Sequence, residues 1–505
     1  MKKRNKIIIL IIVIIFVIVL LIFMIRNKKV YDGLTAYEIS EKYENIDYGD
    51  NINLENDSSD INKGGIYNLS GDYNCITIDT KDNIKLNLNN VNINCSNGAG
   101  INVINSSILE INLEENNTIE SKINKEYDSA IYSLNTIILS GNGKLYINSN
   151  GKGISSLENI IIKNGNYNIN SIDDGIKGKN GVAILDGNIN IKTSSDGINT
   201  SKNNNSYIII DNGSFNIKSE GDAIQSGNYL YFYDGNINIK SGAGYQKEKK
   251  DISSKGIKAD SDIVIVSGKI KIDSSDDSIH SNGNITIYNG DININSGDDG
   301  IHADNHLIIN NGNITINNSY EGIEAKTITI NGGNFDISAT DDGINGTGDK
   351  DIANDEELTG NGLIEINKGI FKVNSKADGI DCNGEVIING GTLYIEGAYL
   401  GPNTALDYYH LEINGGTVFA IGGIGADDKG DISGNQATIF VTLSKMTQGE
   451  IEINKVSYTP SIYYKSIIVS SPKIYRNHVY NFTIGGETKI IKTNKEGITK
   501  INKFM

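Results

Sequence analysis

Short stretches of alternating apolar and polar residues recur along most of this chain, and an acidic residue precedes many of them. An isoleucine follows two residues after the acidic position, as in Asp174-Gly-Ile176 and Asp299-Gly-Ile301. These isoleucines are mostly 21 to 23 residues apart. An internal period of this length is typical of repeat proteins, whose units bury their apolar faces against each other. The register positions are Ile101, Ile131, Ile154, Ile176, Ile198, Ile224, Ile257, Ile279, Ile301, Ile323, Ile344, Ile380 and Leu406.

Each repeat consists of three short predicted strands separated by corners. The repeat that begins at Asp299 continues with Leu307-Ile-Ile, the pair Asn311-Gly312 and Ile314-Thr-Ile. The alternation of β-branched and polar residues predicts strands. Asn-Gly and Asp-Gly pairs recur with the same period and predict tight turns. Hairpins would explain these turns but not the fixed period, and the Leu-x-x-Leu-x-Leu frame of leucine-rich repeats is absent.

The period therefore predicts an all-β fold, a parallel β-helix whose three-strand coils contain about 22 residues and stack about 4.8 Å apart. The chain has only three prolines, which suits ladders that need every backbone N–H. We predict a linker and N-terminal start over residues 31–65 and the β-helix over residues 66–432. Residues 433–505, where the period ends, are predicted to form a C-terminal β capping segment, because an open β-helix end exposes strand edges.

A run of 19 apolar residues at positions 7–25 is long enough to form a membrane helix. The basic cluster before this run is stronger than the one after it, which places the N-terminus in the cytoplasm. We expect residues 1–30 to form an uncleaved signal anchor, with residues 7–25 as the chain's contact with the membrane. The protein would then be a single-pass protein of the cell membrane with an extracellular C-terminal domain. A cleaved signal peptide is the alternative.

The net charge of −17 argues against nucleic acid and anionic lipid as partners. The three cysteines are too few for a disulfide framework. Cys75 and Cys95 are 20 residues apart and could lie on adjacent coils. We expect two separate core cysteines instead, because a free cysteine behaves as a small buried hydrophobe.

Stacking of the coils would place the acidic register residues above one another. Two carboxylates about 5 Å apart repel by about 3 kcal/mol at an effective dielectric constant of 20. Ca²⁺ would offset this repulsion, because it accepts several oxygen ligands in flexible geometry. The alternative, that Asp-Gly is corner chemistry, explains one aspartate in each coil but not the doubled aspartates. We predict Ca²⁺ as the cofactor, with these ligands: Asp173, Asp174, Asp196, Asp276, Asp277, Asp298, Asp299, Glu321, Asp341 and Asp342.

The residue after each register isoleucine is polar and should point outward, because side chains alternate along a strand. Insertions at residues 242–251 and 347–359 bracket several of these positions, and insertions often mark the binding face of a repeat protein. We predict a sugar-binding groove between them. The alternatives are a solvated polar face and a transition-metal site at its histidines and glutamate. The predicted groove residues are Lys258, His280, His302, Tyr320, Glu324 and Tyr245.

Several segments resemble a known family. They are Ser275-Asp-Asp-Ser-Ile-His280, Gly297-Asp-Asp-Gly-Ile-His302, Tyr320-Glu-Gly-Ile-Glu324, Asn403-Thr-Ala-Leu-Asp407, Leu411-Glu-Ile-Asn-Gly-Gly416 and Ser470-Ser-Pro472. The chain resembles, over roughly residues 65–490, the bacterial surface carbohydrate-binding proteins that share a β-helix fold with family 9 polysaccharide lyases. The resemblance implies a right-handed parallel β-helix, bound Ca²⁺ and affinity for plant-type polysaccharides, including acidic ones. Many members carry a lipobox cysteine, which this chain lacks.

The lyase relatives use Ca²⁺ and a lysine base, and Lys255 and Lys258 lie beside the aspartates in this sequence. β-Elimination from a uronide needs a cation to neutralise the sugar carboxylate and a base to remove the adjacent proton. An arginine base is excluded, because the predicted β-helix contains no arginine. A lysine with an unshifted pKa is a poor base at neutral pH.

Three functions therefore stay open at this stage. The first is calcium-dependent, non-catalytic binding of an acidic, plant-type polysaccharide such as polygalacturonate at the cell surface. Cellulose is a less suitable partner, because without tryptophan only tyrosine could supply a stacking platform. The second is a Ca²⁺-dependent polysaccharide lyase that uses Lys255 or Lys258, and the third is a surface adhesin or structural rod.

Overall fold

The structure, a computed structural model, describes residues 33–52, 54, 59–124, 128–247, 252–349, 360–424 and 430–504. The chain winds into a parallel β-helix of about 16 turns with almost no α-helix. Each turn passes through three faces, which we call A, B and C in chain order. Strands on each face pair in parallel with those of the turns before and after, and the faces enclose one apolar core. The predicted parallel β-helix is confirmed.

Face A contains the register positions and holds β2 (Asp60–Ile61), β4 (Ile76–Asp79), β6 (Ile101–Asn105), β9 (Ser129–Ser133), β12 (Lys152–Ser156), β15 (Ile176–Gly178), β18 (Ile198–Thr200), β21 (Ile224–Ser226), β24 (Ile257–Ala259), β27 (Ile279–Ser281) and β34 (Ile344–Gly346). Face B holds β1 (Asn51–Ile52), β7 (Leu109–Glu114), β10 (Ile137–Gly141), β13 (Asn159–Ile162), β16 (Gly181–Ile184), β19 (Tyr207–Ile210), β22 (Tyr229–Phe232), β25 (Ile263–Ile265), β28 (Ile285–Ile287), β35 (Gly362–Ile366) and β41 (Asp431–Ser433). Face C holds β8 (Asn116–Ser121), β11 (Lys144–Ser149), β14 (Asn166–Ser171), β17 (Asn188–Thr193), β20 (Ser214–Ser219), β23 (Asn236–Ser241), β26 (Lys269–Ser274), β29 (Asp291–Ser296), β31 (Asn313–Asn318), β33 (Asn334–Ala339), β36 (Ile370–Ser375), β38 (Thr392–Glu396) and β40 (Thr417–Gly422). Strands β3 (Gly65–Tyr73) and β5 (Ile84–Cys95) run from face B into face C, and β30 (Ile301–Ile309), β32 (Ile323–Ile330), β37 (Ile380–Ile388) and β39 (Leu406–Ile413) run from face A into face B.

The register predicted from the sequence is the register of face A. Parallel pairing joins each predicted position to the next, from Ile101 beside Ile131 to Ile380 beside Leu406. These side chains are all buried in the apolar core. The long gaps in the period are insertions at corners, and the turns on either side of each insertion still pair.

Close approach of neighbouring turns explains the glycine of the Asp-Gly-Ile corner. A Cβ atom at Gly300 would lie 2.5 Å from the carbonyl oxygen of Gly322 in the next turn. Backbone conformation explains the glycine of the Asn-Gly corner between faces B and C, because Gly312 has φ 126°. An asparagine ladder follows the same corner, where Asn331 donates to Asn310 at 3.0 Å. Two corners of different geometry therefore account for the recurring glycines.

The N-terminal part of the described chain contains a helix that the sequence did not predict. Helix α1 (Ala36–Glu41) begins with a capping box formed by Thr35 and Glu38. The backbone N–H groups of Ala36 and Tyr37 donate to the two carboxylate oxygens of Asp211 on the β-helix. Ile39 packs with apolar side chains on the outside of face B. This helix therefore covers an apolar patch of that face.

The predicted membrane helix at residues 7–25 lies outside the described residues. Within the part of the chain that the structure describes, no helix has the length and apolar character needed to cross a membrane.

Pairing changes from parallel to antiparallel where the period ends. Strand β40 pairs antiparallel with β45 (Tyr464–Ser470), which also pairs with β42 (Thr438–Thr447), and β42 pairs in parallel with β48 (Ile498–Ile501). A separate four-stranded antiparallel sheet contains β43 (Ile451–Ile453), β44 (Val456–Tyr458), β46 (Val479–Ile484) and β47 (Glu487–Lys492). That this segment acts as a cap stays a prediction.

The expectation of two separate core cysteines at Cys75 and Cys95 is wrong. The two residues form a disulfide with a Cα–Cα distance of 4.8 Å. Their separation of 20 residues is about one turn, so stacking brings them within bonding distance. Cys382 is the buried free cysteine.

Candidate functional site

The register acids form a ladder along the corner between faces C and A. In most of these acids, one carboxylate oxygen accepts the backbone N–H of the residue at the same acidic position in the next turn, as Asp299 Oδ1 does from Glu321 at 3.2 Å. This contact is a structural reason for one acidic residue in each turn, as the corner hypothesis proposed. The acids that accept in this way are Asp174, Asp196, Asp222, Asp277, Asp299, Asp342 and Asp378.

The residues three positions after the acidic register position of each turn form a second column beside this acid ladder, including the turns in which Lys255 and Thr404 take that position. The contact is direct at Asp277, whose Oδ2 lies 2.8 Å from His280 Nδ1, although the pair is not aligned as a hydrogen bond. Most members are half-buried or buried, because the acid ladder stands next to them. This outward column confirms the polar positions predicted after each register isoleucine. It contains Lys177, Asn199, Gln225, Lys258, His280, His302, Glu324, Asn345, Asp381 and Asp407.

Lysines neutralise the first acid of the ladder, Asp174, and the aspartate that precedes it. Lys152 Nζ lies 3.1 Å from Asp173 Oδ2, and Lys177 Nζ lies 3.7 Å from Asp174 Oδ2. One turn later, burial and repulsion from Asp222 and Asp174 raise the pKa of Asp196 to about 7. The predicted metal ligands at this end of the ladder thus differ in how much of their charge is offset.

A lysine at one of the ladder's own positions neutralises the acids at the centre of the ladder. Lys255 takes the acidic register position, and its ammonium lies 3.0 Å from Asp276 Oδ1 and contacts Asp277 Oδ2. Burial opposes the charge of Asp277, but His280 and Lys255 outweigh it and lower the pKa of this carboxyl group. Burial would also lower the pKa of Lys255, but the charges and hydrogen bonds of Asp277 and Asp276 raise it. The repulsion that predicted Ca²⁺ is therefore offset at this turn.

His302 links the next acids. Its Nδ1 lies 2.9 Å from Asp299 Oδ2 and 3.0 Å from Glu324 Oε2, and its ring is tilted by 48° to that of His280, with the ring centroids 4.8 Å apart. Burial would lower the pKa of His302, but the hydrogen bonds to Asp299 and Glu324 raise it to about 10. The ligand atoms of His302, Asp299 and Glu324 lie within 4.8 Å of one another, as do those of His302, His280 and Asp277. The transition-metal alternative therefore stays open at these histidines.

Acids predominate in both columns from Glu321 onward, although Asn345 and Thr404 each take one position. We call Glu321, Glu324, Asp342, Asp378, Asp381 and Asp407 the acidic end. Burial and the charges of Glu324 and Asp299 raise the pKa of Glu321 to about 8. Burial, followed by the charges of Asp342, Asp407 and Asp378, raises the pKa of Asp381 to about 8. Burial raises the pKa of Asp378 to about 7 and that of Asp342 to about 6.

Four members of the acidic end were missing from the predicted metal ligands, and one of them, Glu324, was predicted as a groove residue instead. Asp378 holds the acidic register position of its turn, and Asp381 and Asp407 extend the outward column. The register alone would have found them if both columns had been followed to the last turn. Of the other predicted ligands, Asp276, Asp277 and Asp298 have oxygen atoms within 4.8 Å of one another, and Asp341 interacts with the Tyr320 hydroxyl.

The structure brings together only part of the predicted groove. Lys258, His280, His302 and Glu324 stack on consecutive turns of the outward column. Tyr320 lies at the corner before that column and is 49% exposed. Tyr245 lies elsewhere, at the end of face C, where its backbone N–H donates to Asp273 Oδ1 at 2.9 Å. Residues 248–251 and 350–359 of the two insertions lie outside the described residues.

Comparison with known proteins identifies the family. The sequence model of the family described as carbohydrate-binding domain-containing protein matches residues 55–300 and 298–455. No curated protein matches the chain. Among solved structures, it is similar to a polysaccharide lyase-like protein from C. thermocellum, determined as a gadolinium derivative, with 27% identity and a TM-score of 0.35 over 38% of this chain and 83% of that chain. Because the family match spans most of the sequence, the chain belongs to the family of carbohydrate-binding domain-containing proteins.

Proposed function

We propose that the protein binds an acidic polysaccharide at the cell surface without cleaving it, and that Ca²⁺ at the acidic end bridges protein and sugar. One observation carries this proposal: carboxylates hold three positions of the acid ladder and three of the outward column from Glu321 onward, with the amide of Asn345 among them. Burial and mutual repulsion hold the pKa values of Glu321, Asp378 and Asp381 near 7 or 8. Such a cluster is costly when ionised, and a bound cation would offset the cost.

The donor set suits a hard cation. Carboxylate and amide oxygens are the ligands that Ca²⁺ prefers. Asn345 lies between Glu324 and Asp381 in the outward column, and its Nδ2 donates to Glu321 Oε2 at 2.9 Å. Its Oδ1 atom is buried and accepts no hydrogen bond within the described residues. A cation held by Asp342, Asp381 and this amide oxygen would satisfy that atom.

The negative net charge of the protein also explains why an acidic polysaccharide would need a cation in order to bind. The chain carries −17, so a polysaccharide with carboxylate groups is repelled at long range. A Ca²⁺ ion with protein ligands on one side can accept sugar carboxylates on the other, since it takes six to eight oxygen atoms. Binding would then depend on the ion.

The state of Lys255 supports binding without catalysis. A general base works best when its pKa lies near the operating pH, but Asp277 and Asp276 raise the pKa of Lys255. Its side chain is also only 12% exposed. Lys258 is partly covered as well, with Nζ 3.8 Å from Asp222 Oδ2. A lyase stays the alternative, and ultraviolet absorbance of the reaction products distinguishes it from a binding protein.

The proposed location is the outer surface of the cell membrane, with residues 7–25 as the anchor. The apolar run supports the anchor. The Cys75–Cys95 disulfide supports an oxidising compartment outside the cytoplasm.

The test is binding of the full-length protein, kept in nonionic detergent, to polygalacturonate with Ca²⁺ or with a chelator. We expect Ca²⁺ to raise the affinity at least about tenfold, which is roughly 1.4 kcal/mol. Ultraviolet absorbance of the supernatant, which reports unsaturated uronides, should stay flat. The variant Asp378→Asn/Asp381→Asn should lose the gain from Ca²⁺.

The control variant is Asp79→Asn/Asp186→Asn, which changes the net charge equally at two exposed residues away from the acidic end. It should keep the gain from Ca²⁺. Equal affinity with and without Ca²⁺ would overturn the calcium bridge, and rising absorbance would make the protein a lyase. Absence of binding under both conditions would favour the adhesin hypothesis.

A further inference from the structure

A second polar surface lies on face C, away from the acidic end. Strands β14, β17, β20 and β23 present alternate side chains outward, while the side chains between them are buried. A groove of about 500 Å³ crosses this surface and the neighbouring strand β11. Its lining includes Tyr146, Asn170, Asn190, Lys192 and Lys218, and one acidic residue, Glu120 of β8, at the edge away from the lysines.

The charge of this surface is opposite to that of the whole chain. The outward residues of β14, β17, β20 and β23 are Asn166, Asn168, Asn170, Asn188, Asn190, Lys192, Ser214, Asn216, Lys218, Asn236, Asn238 and Lys240. None of them is acidic, although the chain contains 62 aspartates and glutamates. We call the part lined by Tyr146, Lys192 and Lys218 the lysine groove.

The lysines stack directly above one another. Parallel pairing places Lys192 beside Lys218 and Lys218 beside Lys240. Lys240 makes an ion pair with Asp273 at 2.9 Å, whereas Lys192 and Lys218 make no ion pair within the described parts of the chain. Like charges on directly opposed strand positions are destabilising. An anionic ligand across Lys192 and Lys218 would offset their repulsion.

The other lining residues suit a sugar. Tyr146 is 41% exposed and can supply an apolar ring face for stacking. Asparagine side chains form ladders on both sides, where Asn170 donates to Asn148 at 3.0 Å and Asn238 donates to Asn216 at 2.9 Å. Their remaining amide donors and acceptors can bond to hydroxyl groups. Neighbouring lysines are one strand spacing apart, about 4.8 Å, which is comparable to the length of one pyranose residue.

We infer that the lysine groove is a second carbohydrate-binding site, which takes the carboxylate-bearing sugars of an acidic polysaccharide without calcium. The ammonium groups of Lys192 and Lys218 bind successive sugar carboxylates, Tyr146 stacks on a ring, and the asparagines bond to hydroxyl groups. This site goes beyond the proposed calcium bridge and does not depend on it. An acidic polysaccharide that binds both the acidic end and the lysine groove gains avidity, because the second contact is intramolecular.

The experiment measures binding of the full-length protein in detergent to polygalacturonate in a chelator at low salt. We expect weak binding that high salt removes, because exposed ion pairs are screened. The variant Lys192→Gln/Lys218→Gln should bind about tenfold more weakly, and Tyr146→Ala should also bind more weakly. The affinity for the neutral polymer hydroxyethylcellulose should be the same for the wild type and for Lys192→Gln/Lys218→Gln.

The control is Lys473→Gln/Lys495→Gln, which removes the same charge from two exposed lysines of the C-terminal segment. It should leave the residual affinity unchanged. Residual binding that survives Lys192→Gln/Lys218→Gln, or that falls equally in the control, would overturn the lysine groove. The gain from Ca²⁺, measured on the same variants, tests the acidic end separately. The circular dichroism spectrum of each variant checks that it is folded.

Discussion

Replacing one aspartate of the acidic end should stabilise the protein when no metal is bound. Asp381 pairs with Asn345 and Asp407 across the outward column, and Asp342 and Asp378 repel its charge. Two carboxylates one turn apart, about 5 Å, repel by roughly 3 kcal/mol at an effective dielectric constant of 20. Water at this partly covered site screens some of that repulsion. We expect Asp381→Asn to add about 2 kcal/mol of local stability at pH 8 in chelator.

The pH dependence gives the sign of the effect. Burial and neighbouring charges raise the pKa of Asp381 to about 8 in the folded protein, from an ordinary value of 3.8. The folded state then binds more protons than the unfolded state between these values, so stability falls as pH rises from about 4 to about 8. The gain from Asp381→Asn should therefore be largest near pH 8 and small near pH 4. Hydrogen exchange of the amides in β37 measures it as a local opening free energy.

Asp277→Asn is the matched control, because that carboxylate is held by attraction. Lys255 and His280 lie against it, and it accepts the backbone N–H of Asp299 at 3.1 Å. Removing one partner of a buried ion pair costs about 3 kcal/mol, so this variant should lose protection. Ca²⁺ should protect the wild type more than Asp381→Asn. If Asp381→Asn lowers protection in chelator, Asp381 is a structural partner and the repulsion at the acidic end is refuted.

Three further predictions concern other parts of the molecule. Ca²⁺ affinity should rise at least about tenfold from pH 6 to pH 8, because carboxylates with pKa values near 7 and 8 must lose protons to bind; an unchanged affinity in calorimetry would be inconsistent with these ligands. Cys75→Ser should destabilise the first turns by about 3 kcal/mol, the loop-entropy estimate for a 20-residue closure, and limited proteolysis would detect it. Lys255→Met should lower the free energy of unfolding by about 3 kcal/mol, because Asp276 and Asp277 lose the ammonium group of Lys255. Glycan binding and ultraviolet absorbance should stay unchanged. If the wild type forms an ultraviolet-absorbing product that this variant does not form, the protein is a lyase.

The backbone arrangement could be predicted because the spacing of the register residues can be read directly from the sequence. A register isoleucine must enter the core once in each turn, so its spacing in the sequence fixes which strands pair. The pairing of Ile224 with Ile257 survives an insertion because a corner can lengthen without moving the strands on either side. The glycine corners follow for the same reason, since each repeats the same close approach or positive φ.

The chemistry of the acid ladder could not be predicted to the same depth. Corners break the alternation of side chains, so the sequence does not show that Asp299 accepts an amide of the next turn while contacting His302. Lys255 was considered as a base, but its surroundings make it a counter-ion for two aspartates. Helix α1 was missed because its stability comes from Asp211 and an apolar patch far along the chain.

Anomalous X-ray scattering from crystals of the full-length protein with Ca²⁺ and a galacturonate oligosaccharide would test the calcium bridge most directly. We predict a calcium peak at the acidic end, with ligands from Asp378 or Asp381 on one side and a sugar carboxylate on the other. Oligosaccharide density at the acidic end without a calcium peak, or calcium bound only elsewhere, would contradict the proposed function.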